Sequence, residues 1–84
     1  MPNKKKLYES VKNNTKNVDF DDFVSVVQFF KFNLRRTRGS HKIYKHPDVP
    51  EVLALQSRKN GTAKHYQVEE FLSYVEKYDL KMED

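Results

Sequence analysis

The stretch Phe32-Asn33-Leu34-Arg35-Arg36-Thr37-Arg38-Gly39-Ser40-His41-Lys42-Ile43-Tyr44-Lys45-His46 decides how this chain is read. Phe32 to Arg38 has strand character, and Arg38-Gly39-Ser40 supplies a tight turn into a second strand from His41 to His46. Together they predict a β-hairpin. Pro47 and Pro50 donate no backbone hydrogen bond and force an irregular connection. Val52 to Ser57 then reads as a third strand with Leu53 and Leu55 on one face, and Arg58 to Thr62 as a loop.

Helical spacing lies on both sides of this meander. Leu7 and Val11, with Tyr8 beside them, predict a first helix from Lys4 to about Asn13, ended by Asn13-Asn14. Phe20, Phe23, Val24, Val27 and Phe30 predict a second helix, which Asp19 is placed to cap and whose positive end Asp21 and Asp22 favour. Val68, Phe71, Leu72 and Val75 predict a last helix from about His65 to Tyr78, with Glu69 and Glu70 early and Lys77 late. The expected fold is α+β, order ααβββα, a three-stranded antiparallel sheet packed on helices with its second face open.

Eighty-four residues, 37% hydrophobic and 33% charged, leave room for one domain spanning residues 1–84. A chain this short buries only about 60 to 65% of its unfolded surface, so large side chains must supply the core. Six Phe and five Tyr do so. Cysteine is absent, which excludes disulfides, thiolate metal sites and thiol nucleophiles and makes a reducing, cytoplasmic setting the expectation. The lysine run at the start is followed by no apolar stretch of signal-peptide length, and no segment reaches the ~18 apolar residues of a membrane span.

The net charge of +4 is uneven: +1 over residues 1–30, +7 over residues 31–65 and −4 over residues 66–84. The middle third also carries all three histidines. Phosphate neutralisation is the usual reason for concentrating cations on one surface, and an ordinary solvated face is the plain alternative.

Within this strip His41 directly follows the Gly39-Ser40 turn, among Arg35, Arg36, Arg38, Lys42 and Lys45. Metal-free RNA cleavage needs a base for the 2′-hydroxyl proton, an acid for the leaving oxygen and cations for the charge that builds on phosphorus. Imidazole titrates in the range such work requires. One histidine fills one role, and composition alone favours an ordinary surface or satisfied core histidine. Strand parity sets His41, Ile43 and Lys45 on one face and Lys42, Tyr44 and His46 on the other. His41 and His46 therefore point apart, and no metal or other cofactor is expected. Whether Ile43 or Tyr44 faces the helices stays open. Arg58, Lys59 and Lys64 flank the start of the last helix, where backbone amides attract anions. Tyr44 and Tyr66 are of the type that stacks on bases, yet both read first as core.

Arg38-Gly39-Ser40-His41-Lys42-Ile43-Tyr44-Lys45-His46-Pro47 resembles the HicA family, the small toxins of HicA/HicB toxin–antitoxin systems. Asn14-Thr15-Lys16-Asn17-Val18 with Phe20 and Phe23 is similar to the family's lead into a helix. Phe32-Asn33-Leu34-Arg35 is similar to its next strand, and Lys64-His65-Tyr66-Gln67-Val68 to the start of its last helix. The likeness covers about residues 14–76. It implies a double-stranded-RNA-binding-domain-like fold and an mRNA interferase in which His41 is needed for cleavage, with Gly39 shaping the turn that presents it. It also implies a HicB antitoxin partner that covers the site, in a complex that often represses its own operon. Lys31 stands where the family usually has glycine. Gln56-Ser57-Arg58 replaces a common Pro-Arg-His, and His65 a frequent proline.

The sequence therefore carries three hypotheses. The first is a metal-independent endoribonuclease toxin with His41 as acid or base, Gly39, Ser40 and Tyr44 supporting it, and Arg36, Arg38, Lys42, Arg58, Lys59 and Lys64 on RNA. The second is an RNA-binding module of the same fold that does not cut. The third is a protein-interaction domain whose exposed sheet edge pairs with a partner strand.

Overall fold

The computed structural model describes residues 3–82. Its elements run α1 (Lys4–Asn13), α2 (Phe20–Phe29), β1 (Asn33–Arg38), β2 (His41–Lys45), β3 (Val52–Leu55) and α3 (His65–Lys77). The strands form one antiparallel sheet in the order β1-β2-β3. The expected α+β order ααβββα holds.

The helices form where apolar spacing predicts them, and each buries its stripe against the others or the sheet. Asn3 caps α1 by accepting from the Lys5 and Lys6 amides at 2.9 and 3.4 Å, and Val11 is the residue that α1 buries. In α2, Phe23, Val26 and Val27 are buried. In α3 they are Gln67, Val68, Phe71 and Val75. The Phe71 ring is the hub: it meets Phe23, Phe30 and Phe32 edge-on at 5.8, 5.5 and 5.8 Å. Leu53, Leu55 and Tyr44 complete this core from the sheet side. Burying each such side chain contributes roughly 1.5–3 kcal/mol.

Element ends differ from the sequence reading wherever a backbone group is engaged elsewhere. β1 starts after Phe32, because the Phe32 amide donates back to Val27 at 3.4 Å and closes the end of α2. β2 stops before His46, whose carbonyl accepts from Val49 and whose Nδ1 accepts from the Asp48 amide. β3 stops at Leu55, because the Gln56 amide donates to the Gln67 side chain and Ser57 instead bridges to Ala63.

Three local expectations are corrected. Asp19 occupies the N-cap position of α2 without a side-chain capping bond, and its backbone bridges to Thr62. Glu69 and Glu70 follow the first turn of α3, which holds no acid, so the positive end of that helix meets Lys64 and His65 instead. Tyr66, read as core, is 57% exposed, because the buried face of α3 passes through Gln67, Val68, Phe71 and Val75 and leaves position 66 outside.

Helices α2 and α3 end in the same hydrogen-bonded motif. After α2, the Lys31 amide donates to Gln28 and the Phe32 amide to Val27, while Lys31 takes the left-handed conformation at φ 71°. After α3, Asp79 (φ 51°) donates to Glu76 and Leu80 to Val75. This is a Schellman closure, which normally places glycine where Lys31 and Asp79 stand.

Candidate nucleic-acid interface

Gly39 and Ser40 alone connect β1 to β2. Gly39 takes φ 63° and Ser40 does not share a positive φ, the pattern of a II′ hairpin turn, in which glycine relieves the first central position. A Cβ at Gly39 would meet nothing within 4 Å. The glycine is thus needed for its dihedral and not for space.

The register settles which face His41 occupies. Tyr44 stands opposite Leu53, both are buried, and directly paired residues point to the same side. Tyr44 therefore faces the helices, and His41, Ile43 and Lys45 face outward. Across β1, Arg38 pairs with His41 and Arg36 with Ile43. Two residues apart in regular register from the turn, Arg36 and Arg38 share the His41 face, and an irregularity between Leu34 and Arg36 takes Arg35 out of step so that Leu34 pairs with Tyr44. Without it the alternation would turn Leu34 to the outward face. Ala54 and Val52, paired with Ile43 and Lys45, continue this face onto β3. The result is an open surface with a small apolar centre, Ile43, Ala54 and Val52, framed by Arg36, Arg38, His41 and Lys45, and His41 is exposed.

Other sequence candidates separate from this group. Tyr44, a candidate support for His41, is a core residue on the opposite face; burial pushes its phenol pKa up. Lys42 also leaves from the helix side, where its ammonium lies 5.9 Å from the centre of the Phe20 ring. His46 is buried, 5.2 Å from the Phe32 ring.

Arg58, Lys64, His65 and Tyr66 line a cleft of about 300 Å³ at the start of α3. Lys59 lies in the neighbouring turn, which the Gly61 amide closes by donating to Arg58 at 3.0 Å. That turn is tied to α2, since the Phe20 amide donates to Gly61 at 3.0 Å. The two cationic groups are bridged by side chains: Lys64 Nζ donates to Gln56 Oε1 at 2.6 Å, and Gln56 Nε2 donates to Ser40 Oγ at 2.7 Å. The sequence marks no role for Gln56, which reads as one polar position inside the expected strand Val52 to Ser57. A larger depression, about 670 Å³, lies between α1 and the end of α3, with Tyr8, Leu72 and Met82 in its lining; it contains none of the cationic candidates.

Among the described residues, no group of three or more His, Cys, Asp or Glu gathers as a metal site, and no helix is long and apolar enough to cross a membrane. Set beside protein-family models, curated proteins and solved structures, the chain matches none of them.

Proposed function

We propose that this protein is a metal-independent endoribonuclease of the HicA toxin type, cutting mRNA in the cytoplasm under the control of a HicB-type antitoxin. One observation carries the reading: an exposed imidazole, His41, stands at the end of a glycine-shaped turn with Arg38 directly across from it on an open cationic face. Cleavage on such a surface proceeds by attack of the ribose 2′-oxygen on phosphorus, forming the 2′-O–P bond as the P–O5′ bond breaks. One proton leaves the 2′-hydroxyl and one reaches the 5′-oxygen, giving a 2′,3′-cyclic phosphate and a 5′-hydroxyl. His41 serves one of these transfers and water the other. Arg38 and Arg36 are on the correct face to meet charge developing on the phosphoryl oxygens. Arg58, Lys59 and Lys64 extend the phosphate track toward α3, where the unneutralised positive helix end adds to the attraction.

Purified protein should cut single-stranded RNA in chelator and leave cyclic phosphate ends, and His41→Ala should abolish cutting while remaining folded. Cutting that survives this substitution rejects the assignment. A second reading, an RNA-binding module that does not cut, draws on exposed Tyr66 beside Arg58 and Lys64. It predicts binding that falls steeply with salt and leaves the RNA intact.

A further inference from the structure

Gln56 bonds in three directions at once. Its backbone amide donates to Gln67 Oε1 at 3.1 Å, its carboxamide oxygen accepts from Lys64, and its carboxamide nitrogen donates to Ser40. Gln67 is buried on the inner face of α3, so the Gln56 backbone is anchored to the buried side of that helix. The carboxamide orientation follows from chemistry. A lysine ammonium only donates, so the carboxamide must turn its oxygen to Lys64 and its NH₂ to Ser40.

This orientation has a consequence at the hairpin tip. Ser40 Oγ accepts from Gln56, so its own hydrogen is not used in that bond and is left to donate elsewhere. Ser40 is exposed and immediately precedes His41. The chain begins at a cation, and hydrogen bonds in series polarise one another, which makes the Ser40 hydroxyl a stronger donor than an isolated serine.

We propose that Ser40 donates a hydrogen bond to a non-bridging oxygen of the scissile phosphate, and that Gln56 is the positioning residue that fixes it as a donor. The proposal rests on the ribonuclease reading and extends it. Gly39 sets the dihedral of the turn, and Gln56, tied to Lys64 and Gln67, holds the turn against α3.

Gln56→Glu is the decisive variant. Glutamate nearly matches glutamine in shape and keeps the contact with Lys64, but it has no N–H for Ser40. It would instead accept from the Ser40 hydroxyl and turn that hydrogen inward. In single-turnover cleavage of a short RNA, Ser40→Ala and Gln56→Glu should each lower the maximal rate by about tenfold. In the Ser40→Ala background, Gln56→Glu should cost no more than about twofold. Additive losses overturn the proposal, because the glutamate charge alone would then account for the effect. Unchanged rates in either single variant overturn it as well.

A readout without catalysis separates this inference from the function beneath it. Backbone ¹⁵N relaxation should show Gly39, Ser40 and His41 gaining motion in Gln56→Ala while α3 stays as it was. A turn that remains rigid refutes the positioning role whether or not RNA is cut. Wild-type protein that cuts no RNA refutes the nuclease reading and the Ser40 donor together, and the relaxation data then still report whether Gln56 holds the turn.

Discussion

Arg38 and His41 stand directly opposite each other across the β1–β2 pair, with only the turn between them. Guanidinium and imidazole therefore leave the same side of the sheet, and a phosphate approached by one is within the field of the other. Arg38→Ala should lower kcat/KM for RNA cleavage by roughly ten- to a hundredfold, with Arg38→Lys recovering only part, since a lysine lacks the planar two-donor fork. Cleavage kinetics at two salt concentrations check this. Activity of Arg38→Ala equal to wild type would remove the arginine from the site.

Lys31 is a strained residue in a motif built for glycine. A non-glycine residue in the left-handed region costs roughly 1–2 kcal/mol, and glycine's greater unfolded-state freedom offsets part of that gain. Lys31→Gly should therefore stabilise the fold by up to about 1 kcal/mol, seen as a Tm higher by roughly 4–8 °C for a domain of this size. Asp79→Gly should gain less, because aspartate tolerates the conformation better. A calorimetric scan decides, and a lower Tm for Lys31→Gly would mean that the lysine side chain stabilises more than its backbone strain costs.

The helices and the hairpin were legible because their signals are periodic: the phenylalanine spacing of α2 and the Gly39-Ser40 turn each admit few alternatives. The strand ends were not, since they depend on where single amides donate. That of Phe32 goes to a helix end and that of Gln56 to a glutamine side chain in α3. The face of His41 was open for a related reason. Ile43 and Tyr44 are both apolar, and only the pairing of Tyr44 with Leu53 chooses between them. Arg36 and Arg38 share a face by simple alternation, whereas the irregularity that takes Arg35 out of step has no mark in the sequence, because an arginine fits either side of an edge strand equally well.

Tyr44 is buried on the helix side of the sheet, the face opposite His41. Tyr44→Phe should leave RNA cleavage within about twofold of wild type, as expected for a group that touches neither substrate nor His41. Its effect should appear at alkaline pH. Burial raises the Tyr44 pKa in the folded state, so the associated stability is full below the ordinary tyrosine pKa of ~10 and is lost as pH rises through the higher folded value. Melting curves across that range should fall less steeply for Tyr44→Phe. A large cleavage defect in this variant would return the phenol to the mechanism.

Glu51 ties the irregular connection after β2 to the end of α3. Tyr78 donates its hydroxyl to Glu51 Oε1 at 2.6 Å, and Lys77 Nζ lies 3.5 Å from Oε2. The Tyr78 hydrogen bond, aided by Lys77, lowers the Glu51 pKa below its ordinary value. The stability carried by this carboxylate is therefore present above the unfolded glutamate pKa of ~4.3 and is lost as pH falls through the lower folded value. The same bond raises the pKa of Tyr78, so its share persists below ~10 and fades as pH climbs through the raised value. Glu51→Gln should remove the acid-side fall, and Tyr78→Phe should diminish the losses on both sides. Tm measured from pH 3 to pH 11 tests this; parallel curves for wild type and Glu51→Gln through the acid range would show that the carboxylate contributes nothing to holding α3 in place.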